Sequence, residues 1–410
     1  MPSKGPTAWW QAPSEGSFER LTAASSHHLY QLDFIRALTV FGVITVHVTF
    51  FTHSEQSTLA GAGVMVLHYT REVFLFLTGF VLFYRYPQRV ISWGSFWRKR
   101  FTLIAIPYVL WSVIYAYVGV EPAWNHALPF LRSLGVDLIT GQAWYHLYYL
   151  LITMQIYLLF PGLKWLIART RRRHGLLLAV SIGLELLLMA GYQHGLPQGG
   201  AIAVLGRYRA LTFLTYQLYI LSGAMAATYL PHLHRWITRH RTYIVAGWLA
   251  TLVAALSTYV LNREGYHLSV LAASSVFQPV MVPYCLATTL FFYTLGWRWS
   301  EGGRSGLFGR LIMRLSHHSF GLYLLHPLVL YVLLGFLPRL VGPYGSMLET
   351  GMVVMATLTV SYLVVSALAF TPASLYLLGQ KRRPLIFRDP LQPHDSAIPR
   401  PGWSDPRGSE

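Results

Sequence analysis

The 410-residue chain carries little charge, because Asp, Glu, Lys and Arg make up only 11% of its residues. A soluble protein of this length would have about 25% charged residues. A single cysteine, Cys285, excludes an intrachain disulfide and a cysteine-based metal site. The first 28 residues contain no apolar stretch typical of a cleavable signal peptide. We therefore expect the first membrane helix to serve as the insertion signal.

Apolar residues dominate the chain, at 54% of the total, and the 26 Tyr and 13 Trp residues are typical of interfacial belts. A helix crosses a bilayer with about 17–25 apolar residues. Ten runs meet this length, and they cover roughly residues 32–53, 72–88, 101–119, 144–163, 175–193, 212–230, 242–261, 278–297, 318–337 and 351–372. The sequence therefore predicts an all-α, polytopic membrane protein with about ten transmembrane helices.

The basic residues predict the orientation of these helices. Of 32 Lys and Arg residues, 25 lie in the two tails and in the connections after spans two, four, six and eight, and six lie in the other connections. Because cytoplasmic segments are enriched in Lys and Arg, both termini are predicted to be cytoplasmic. The net charge of +17 is spread in short clusters between apolar spans, so we do not expect nucleic-acid binding.

The chain divides into three predicted segments. Residues 1–30 and 374–410 are polar and rich in Pro, Gly and Ser, so we expect disordered cytoplasmic tails, the second of them basic. Residues 31–373 form the predicted transmembrane domain. No internal repeat is visible within it, which argues against a transporter built from inverted halves. No residue pattern indicates a metal site.

Arg36 and His47 lie eleven residues apart in the first span. In a helix this spacing leaves the two side chains about 20° apart in azimuth and about 16 Å apart along the axis. Alone, Arg36 could extend to lipid phosphates, and His47 could be a neutral ring bonded to another helix. Together they could bind an anionic donor at Arg36 and provide a general base at His47.

Other polar residues of the spans are further candidates for the site. Arg71 precedes Glu72, with which it could form a structural ion pair. Arg100 belongs to a basic cluster that the enrichment of Lys and Arg in cytoplasmic segments would explain without any ligand. His146 lies among aromatic residues at the start of the fourth span. Ser319, Tyr323 and His326 follow one another by four and three residues, so they share one helical face that should point into the bundle.

Five segments in this order resemble the bacterial acyltransferase-3 family of integral membrane O-acyltransferases. They are LDFIRALTVFGVITVH, FLFLTGF, WRKRFTLIAIPY, HLYYL and SFGLYLLHP. The resemblance covers about residues 31–372, and the segment WYHLYYLLITMQIYLLFP resembles stand-alone members that modify polysaccharides. Unlike other members, this chain is expected to have no fused extracytoplasmic esterase-like domain.

The resemblance implies transfer of an acyl group, usually acetyl, from cytoplasmic acyl-CoA to a hydroxyl of a cell-surface or exported polysaccharide. No cofactor would be tightly bound. The expected partners are the lipid bilayer of the bacterial cytoplasmic membrane, acyl-CoA, a polysaccharide or glycolipid acceptor, and polysaccharide synthesis machinery.

The resemblance also implies roles for single residues, carried over by matching position. His47 would be catalytic and Arg36 would help to bind the acidic donor. Arg100 would assist the CoA phosphates, and Arg71 would orient the acyl group or the acceptor. Tyr323 and His326 would line the same cavity, in which His146 and Ser319 are further candidates for binding.

Two other functions remain open from the residues alone. An exporter of a polysaccharide or lipid-linked sugar could also use about ten spans, buried histidines and a cytoplasmic opening surrounded by basic residues. A membrane scaffold without catalysis fits poorly with so many Arg and His residues inside the spans.

Overall fold

A computed structural model describes residues 28–53, 57–86, 91–119, 127–195, 200–302, 306–336 and 346–382 of the chain. Throughout these ranges the ordered elements are helices, and no strand occurs in them. The all-α prediction is confirmed.

The described residues form fifteen α-helices, and several short helices directly precede or follow long ones in the chain. In chain order they are α1 (Tyr30–Thr52), α2 (Thr58–Leu67), α3 (Tyr69–Arg85), α4 (Trp93–Gly119), α5 (Ala127–Thr140), α6 (Tyr148–Arg169), α7 (His174–His194), α8 (Gly200–Arg207), α9 (Gln217–Thr228), α10 (Leu230–Val260), α11 (Val270–Ala273), α12 (Met281–Gly302), α13 (Gly306–Phe336), α14 (Met347–Leu368) and α15 (Ser374–Leu378). A 3-10 turn at Phe213–Tyr216 precedes α9, and a π turn at Leu261–Gly265 follows α10.

Eight helical segments of the described chain are long and apolar enough to cross a membrane. They are α1, α2 with α3, α4, α6, α7, α10 with its π turn, α13 and α14. The chain is therefore a polytopic membrane protein of helices. Two of the ten predicted spans do not meet the same criteria, and they correspond to α9 and α12.

Helices α9 and α12 do not meet the criteria of length and mean hydropathy for a membrane span, because other helices rather than lipid surround much of their surface. Helix α9 has only 12 residues, and nine of them are buried. Helix α12 has 22 residues but contains Thr288, Thr289 and Thr294, all of them buried. A helix enclosed by other helices does not need the uniform apolar surface that lipid contact demands.

Helix α1 lies at the centre of the bundle and packs against α2, α3, α12, α13 and α14. On one side, a core of buried side chains joins α3, α6, α9 and α12. On the other side, a second core joins α4, α13 and the end of α14. Phe74, Ile104 and Tyr149 border both cores, so the candidate site lies at the boundary between them.

Helices α3 and α9 cross at backbone contact. A Cβ atom on Gly223 would lie 2.1 Å from the carbonyl oxygen of Phe76, and one on Gly79 would lie 2.3 Å from the carbonyl oxygen of Ile220. Small residues allow such close approach between membrane helices. This crossing fixes the position of α3, which carries Arg71 and Phe74.

The structure differs from the prediction at two boundaries. The fourth span begins at Tyr148 rather than residue 144, because residues 141–147 form turns that start at Gly141, where φ is +70°. Helix α15 lies in the segment predicted to be a disordered tail. It is ordered because Leu378 is buried and the Trp111 indole donates a hydrogen bond of 2.8 Å to the Leu377 carbonyl.

Candidate active site

His47 and His326 form a hydrogen-bonded pair between α1 and α13. The distance from Nδ1 of His47 to Nε2 of His326 is 2.8 Å, and the two ring planes differ by only 2°. On its other side, Nδ1 of His326 lies 3.0 Å from the carbonyl oxygen of Leu322. Because a carbonyl oxygen can only accept, His326 carries its proton on Nδ1.

This chain of hydrogen bonds determines the tautomer of His47. With Nδ1 of neutral His326 protonated, its Nε2 is an acceptor, so Nδ1 of His47 must donate. The remaining nitrogen of His47, Nε2, then has a free lone pair. Among the described residues it has no hydrogen-bond partner, and His47 borders a cavity. The pair therefore presents a base to whatever fills that cavity.

The cavity beside His47 has a volume of about 180 Å³ and is called here the histidine cavity. Its polar lining combines imidazole, phenol and guanidinium groups from α1, α3, α6 and α13, from the turn before α6 and from the junction of α2 with α3. Its lining side chains include His47, His68, Arg71, Tyr145, His146, Tyr148, Tyr149 and Tyr323. Groups of this kind can hold a polar substrate through several hydrogen bonds.

His146 and Arg71 contribute differently to this cavity. His146 is buried, and both of its ring nitrogens are without a hydrogen-bond partner. Arg71 is bound to Glu72 through Nη2 at 2.7 Å and donates from Nη1 to the Tyr148 hydroxyl at 3.1 Å. Its guanidinium also lies 4.5 Å from the ring centre of Tyr216. Glu72 thus balances the positive charge of Arg71 and, with Tyr148, holds its guanidinium in place. The ring nitrogens of His146 form no hydrogen bond with the described residues.

Arg36 borders a second cavity of about 170 Å³, called here the arginine cavity. Asp33, one turn earlier, is the acidic partner of Arg36, with 3.7 Å between the carboxylate Oδ1 and Nη1. The Ser316 hydroxyl donates to the same oxygen at 2.7 Å. Hydrogen bonding to Asp33 raises the pKa of His28, which precedes the first helix. Arg36 is therefore oriented by α13 as well as by its own helix.

The two cavities meet at three aromatic side chains. Phe74, Tyr149 and Tyr323 line both of them. The ring centre of Tyr149 lies 6.2 Å from that of Phe74 and 5.6 Å from that of Tyr323. The Tyr323 hydroxyl donates to the backbone carbonyl of His146. These three rings form an aromatic constriction between Arg36 and His47.

The polar face predicted on α13 runs past this constriction. Ser319 lines the arginine cavity, Tyr323 lies at the constriction, and His326 contacts His47 beside the histidine cavity. The predicted face is present, and its residues are distributed along the whole path rather than grouped at one point.

Arg100 lies beside the arginine cavity without lining it. Its guanidinium is 5.5 Å from the ring centre of Tyr157, which does line the cavity, and 5.8 Å from the rings of Tyr86 and Phe96. The Nε atom of Arg100 is buried and has no hydrogen-bond partner. Arg100 therefore lies one aromatic layer away from Arg36.

A family model described as an acyltransferase domain, that of the acyltransferase-3 family, matches residues 29–366. The chain belongs to this family. It matches no curated protein and no solved structure. The match spans every helix from α1 to most of α14, and both cavities lie inside it. The protein is therefore a membrane acyltransferase.

Residues of the acyltransferase site that were not predicted from the sequence include Asp33, His68 and Tyr149. Asp33 could have been found, since it precedes Arg36 by three residues and lies on the same face of α1. The sequence gives no comparable signal for His68, which lies between α2 and α3, or for Tyr149, whose neighbours are typical of an interfacial aromatic belt. Their positions at the histidine cavity depend on how helices from distant parts of the chain pack.

Proposed function

We propose that this acyltransferase moves an acyl group, acetyl in the simplest case, from cytoplasmic acyl-CoA to a hydroxyl of a cell-surface or exported polysaccharide. The acceptor and the acetyl group are the expectations drawn from the family resemblance. The bacterial cytoplasmic membrane is the proposed location, with both termini in the cytoplasm.

The observation that carries the proposal is the pair of adjoining cavities. Arg36 borders one cavity and His47 borders the other, and the aromatic constriction joins the two. The two residues lie about 16 Å apart along α1, so the path covers roughly half of the hydrocarbon thickness of a bilayer. An elongated donor with a charged end and a thin reactive arm suits such a path.

The donor would enter from the end at which Arg36 lies. Under the proposed orientation, this end faces the cytoplasm, and the basic residues of the cytoplasmic connections attract the phosphates of CoA. Arg36 and Arg100 would bind anionic or polar parts of the donor near the arginine cavity. The pantetheine arm would then pass the aromatic constriction and bring the thioester to His47.

The transfer step uses the free nitrogen of His47. Nε2 accepts the proton of the acceptor hydroxyl while the hydroxyl oxygen attacks the thioester carbonyl carbon. The carbon–sulfur bond breaks, and the imidazolium returns the proton to the departing thiolate, so the products are an ester and free CoA. His326 holds His47 in the required tautomer throughout. His146 can donate a hydrogen bond to the developing oxyanion.

Replacement of His47 tests this function. We expect His47→Ala to lower the ester content of the surface polysaccharide by about 10²–10⁴-fold, the usual contribution of a general base. Mass spectrometry of glycans from cells that express each variant measures the ester content, and immunoblots of membranes measure the protein level. His194→Ala, at the exposed end of α7, is the matched control.

Full esterification in the His47→Ala strain would refute the proposed catalysis. The same glycan preparations distinguish an exporter from an acyltransferase. Loss of an exporter would remove polymer from the cell surface, whereas loss of the acyltransferase would leave the polymer present without its ester groups.

A further inference from the structure

A groove on the outer surface of the bundle lies between α10 and α12, and it shares no lining residue with either cavity. It has a volume of about 520 Å³. Its floor is apolar, and Arg241 and Arg298 border it. Its other lining residues are Thr242, Val245, Ala246, Leu249, Phe291, Thr294 and Leu295. Nothing in the proposed transfer reaction uses this groove.

The packing of the two helices places both arginines at one end of the groove. The Trp248 and Phe291 rings stack with their centres 4.1 Å apart and their planes within 8°. Arg241 precedes Trp248 by seven residues, and Arg298 follows Phe291 by seven residues. Because α10 and α12 are antiparallel, both guanidinium groups lie about two turns, or about 10 Å, from the stacked rings in the same direction.

The depth of the groove matches one leaflet of a bilayer. From Arg241 to Leu249 the helix rises about 12 Å, against about 15 Å for half of the hydrocarbon core. Within the described residues, neither arginine forms an ion pair.

We propose that this groove binds an anionic phospholipid, with its phosphate between Arg241 and Arg298 and an acyl chain along Val245, Leu249 and Leu295. The backbone of α10 departs from helical geometry at His240, where φ is −116°, so the helix bends immediately before Arg241. Arg241 is therefore the first residue after the bend and lies at the start of the apolar part of α10. Basic pockets between membrane helices bind such headgroups.

Native mass spectrometry of the purified full chain tests the proposal. The protein is titrated with phosphatidylglycerol, phosphatidylcholine or inorganic phosphate. We expect tight binding of the first lipid alone, and a loss of about 30-fold in its affinity in the Arg241→Gln/Arg298→Gln variant. Leu249→Trp, which fills the groove while both arginines remain, should lower the affinity as well.

The control variant is Arg239→Gln/Arg310→Gln, which removes the same charge from two exposed sites outside the groove. It should keep the affinity of the unmodified protein. An equal loss in the control would overturn the proposal, because binding would then follow net charge. Equal affinity for phosphatidylcholine, binding of free phosphate, or unchanged affinity in the groove variants would each overturn it too. Size-exclusion profiles confirm that each variant is folded.

Discussion

At the scale of residues, the bond between His47 and His326 is the feature on which the proposed chemistry depends. A histidine alone in a membrane helix can carry its proton on either nitrogen. Here the Leu322 carbonyl selects the tautomer of His326, and His326 selects that of His47. We therefore treat His326 as a positioning residue, because it acts through His47.

Replacement of His326 should show whether this residue acts by orienting His47. We expect His326→Ala to lower the turnover number for acyl transfer by about 10²-fold, with the KM for acyl-CoA nearly unchanged, because His47 loses its acceptor. His326→Gln should recover part of the rate, since its amide can accept from His47 and donate to Leu322. Steady-state assays on membranes with labelled acetyl-CoA measure both constants. Equal loss in both variants would contradict a positioning role.

Asp33 is the acidic partner of Arg36. It also accepts from Ser316 of α13, so the first turn of α1 is tied to the helix that carries His326. Arg36 borders a cavity that residues of α3, α4, α6 and α13 also line. We propose that Arg36 contacts the acyl donor there rather than lipid phosphates.

At the scale of elements, the contact between α3 and α9 holds one wall of the site. Both helices approach through a glycine, and each glycine faces a backbone carbonyl of the other helix. Helix α9 is too short for a membrane span by the usual criteria, yet it is almost entirely buried. Its role is to position α3 rather than to face lipid.

The addition of one methyl group at Gly223 tests this contact between α3 and α9. We expect Gly223→Ala to destabilise the protein by about 1–3 kcal/mol, because its Cβ would overlap the Phe76 carbonyl and force the helices apart. Thermal unfolding of purified protein in detergent measures the change. Gly183→Ala on α7, where a Cβ meets nothing within 4 Å, should cause no loss. If both variants have the unfolding temperature of the parent protein, the close crossing is not the contact that matters.

At the scale of the whole molecule, the arginine cavity and the histidine cavity lie where the two cores meet, and the aromatic constriction lies between them. Thr78 lines the arginine cavity one turn from Phe74. A large side chain there would fill the path before the constriction without touching the His47–His326 pair. The arrangement of the bundle thus offers a way to block donor passage without removing the base.

We expect Thr78→Trp to abolish acylation with acetyl-CoA, and Thr78→Ala to leave it intact. A short donor, S-acetyl-N-acetylcysteamine, could reach the histidine cavity from the acceptor side and should restore transfer in Thr78→Trp. It should not restore transfer in His47→Ala. Incorporation of labelled acetyl into glycan measures all of these reactions. Full activity of Thr78→Trp with acetyl-CoA would show that the donor does not pass through the arginine cavity.

The sequence by itself determined the all-helical membrane class, the family motifs and the shared face of Arg36 and His47. These are local properties, since hydropathy and the helical period depend on residues within a few turns of one another. The same reasoning placed Ser319, Tyr323 and His326 on one face of α13. The structure departs from it at α15, where burial against α4 rather than composition orders the chain.

Only the tertiary structure decided which of these faces meet. His47 contacts a residue 279 positions away, and Asp33 contacts one 283 positions away. Such contacts arise from the packing of whole helices, including the glycine crossing of α3 and α9, which no short stretch of sequence specifies. The free nitrogen of His47 and the constriction of Phe74, Tyr149 and Tyr323 exist because three helices, α3, α6 and α13, converge beside α1.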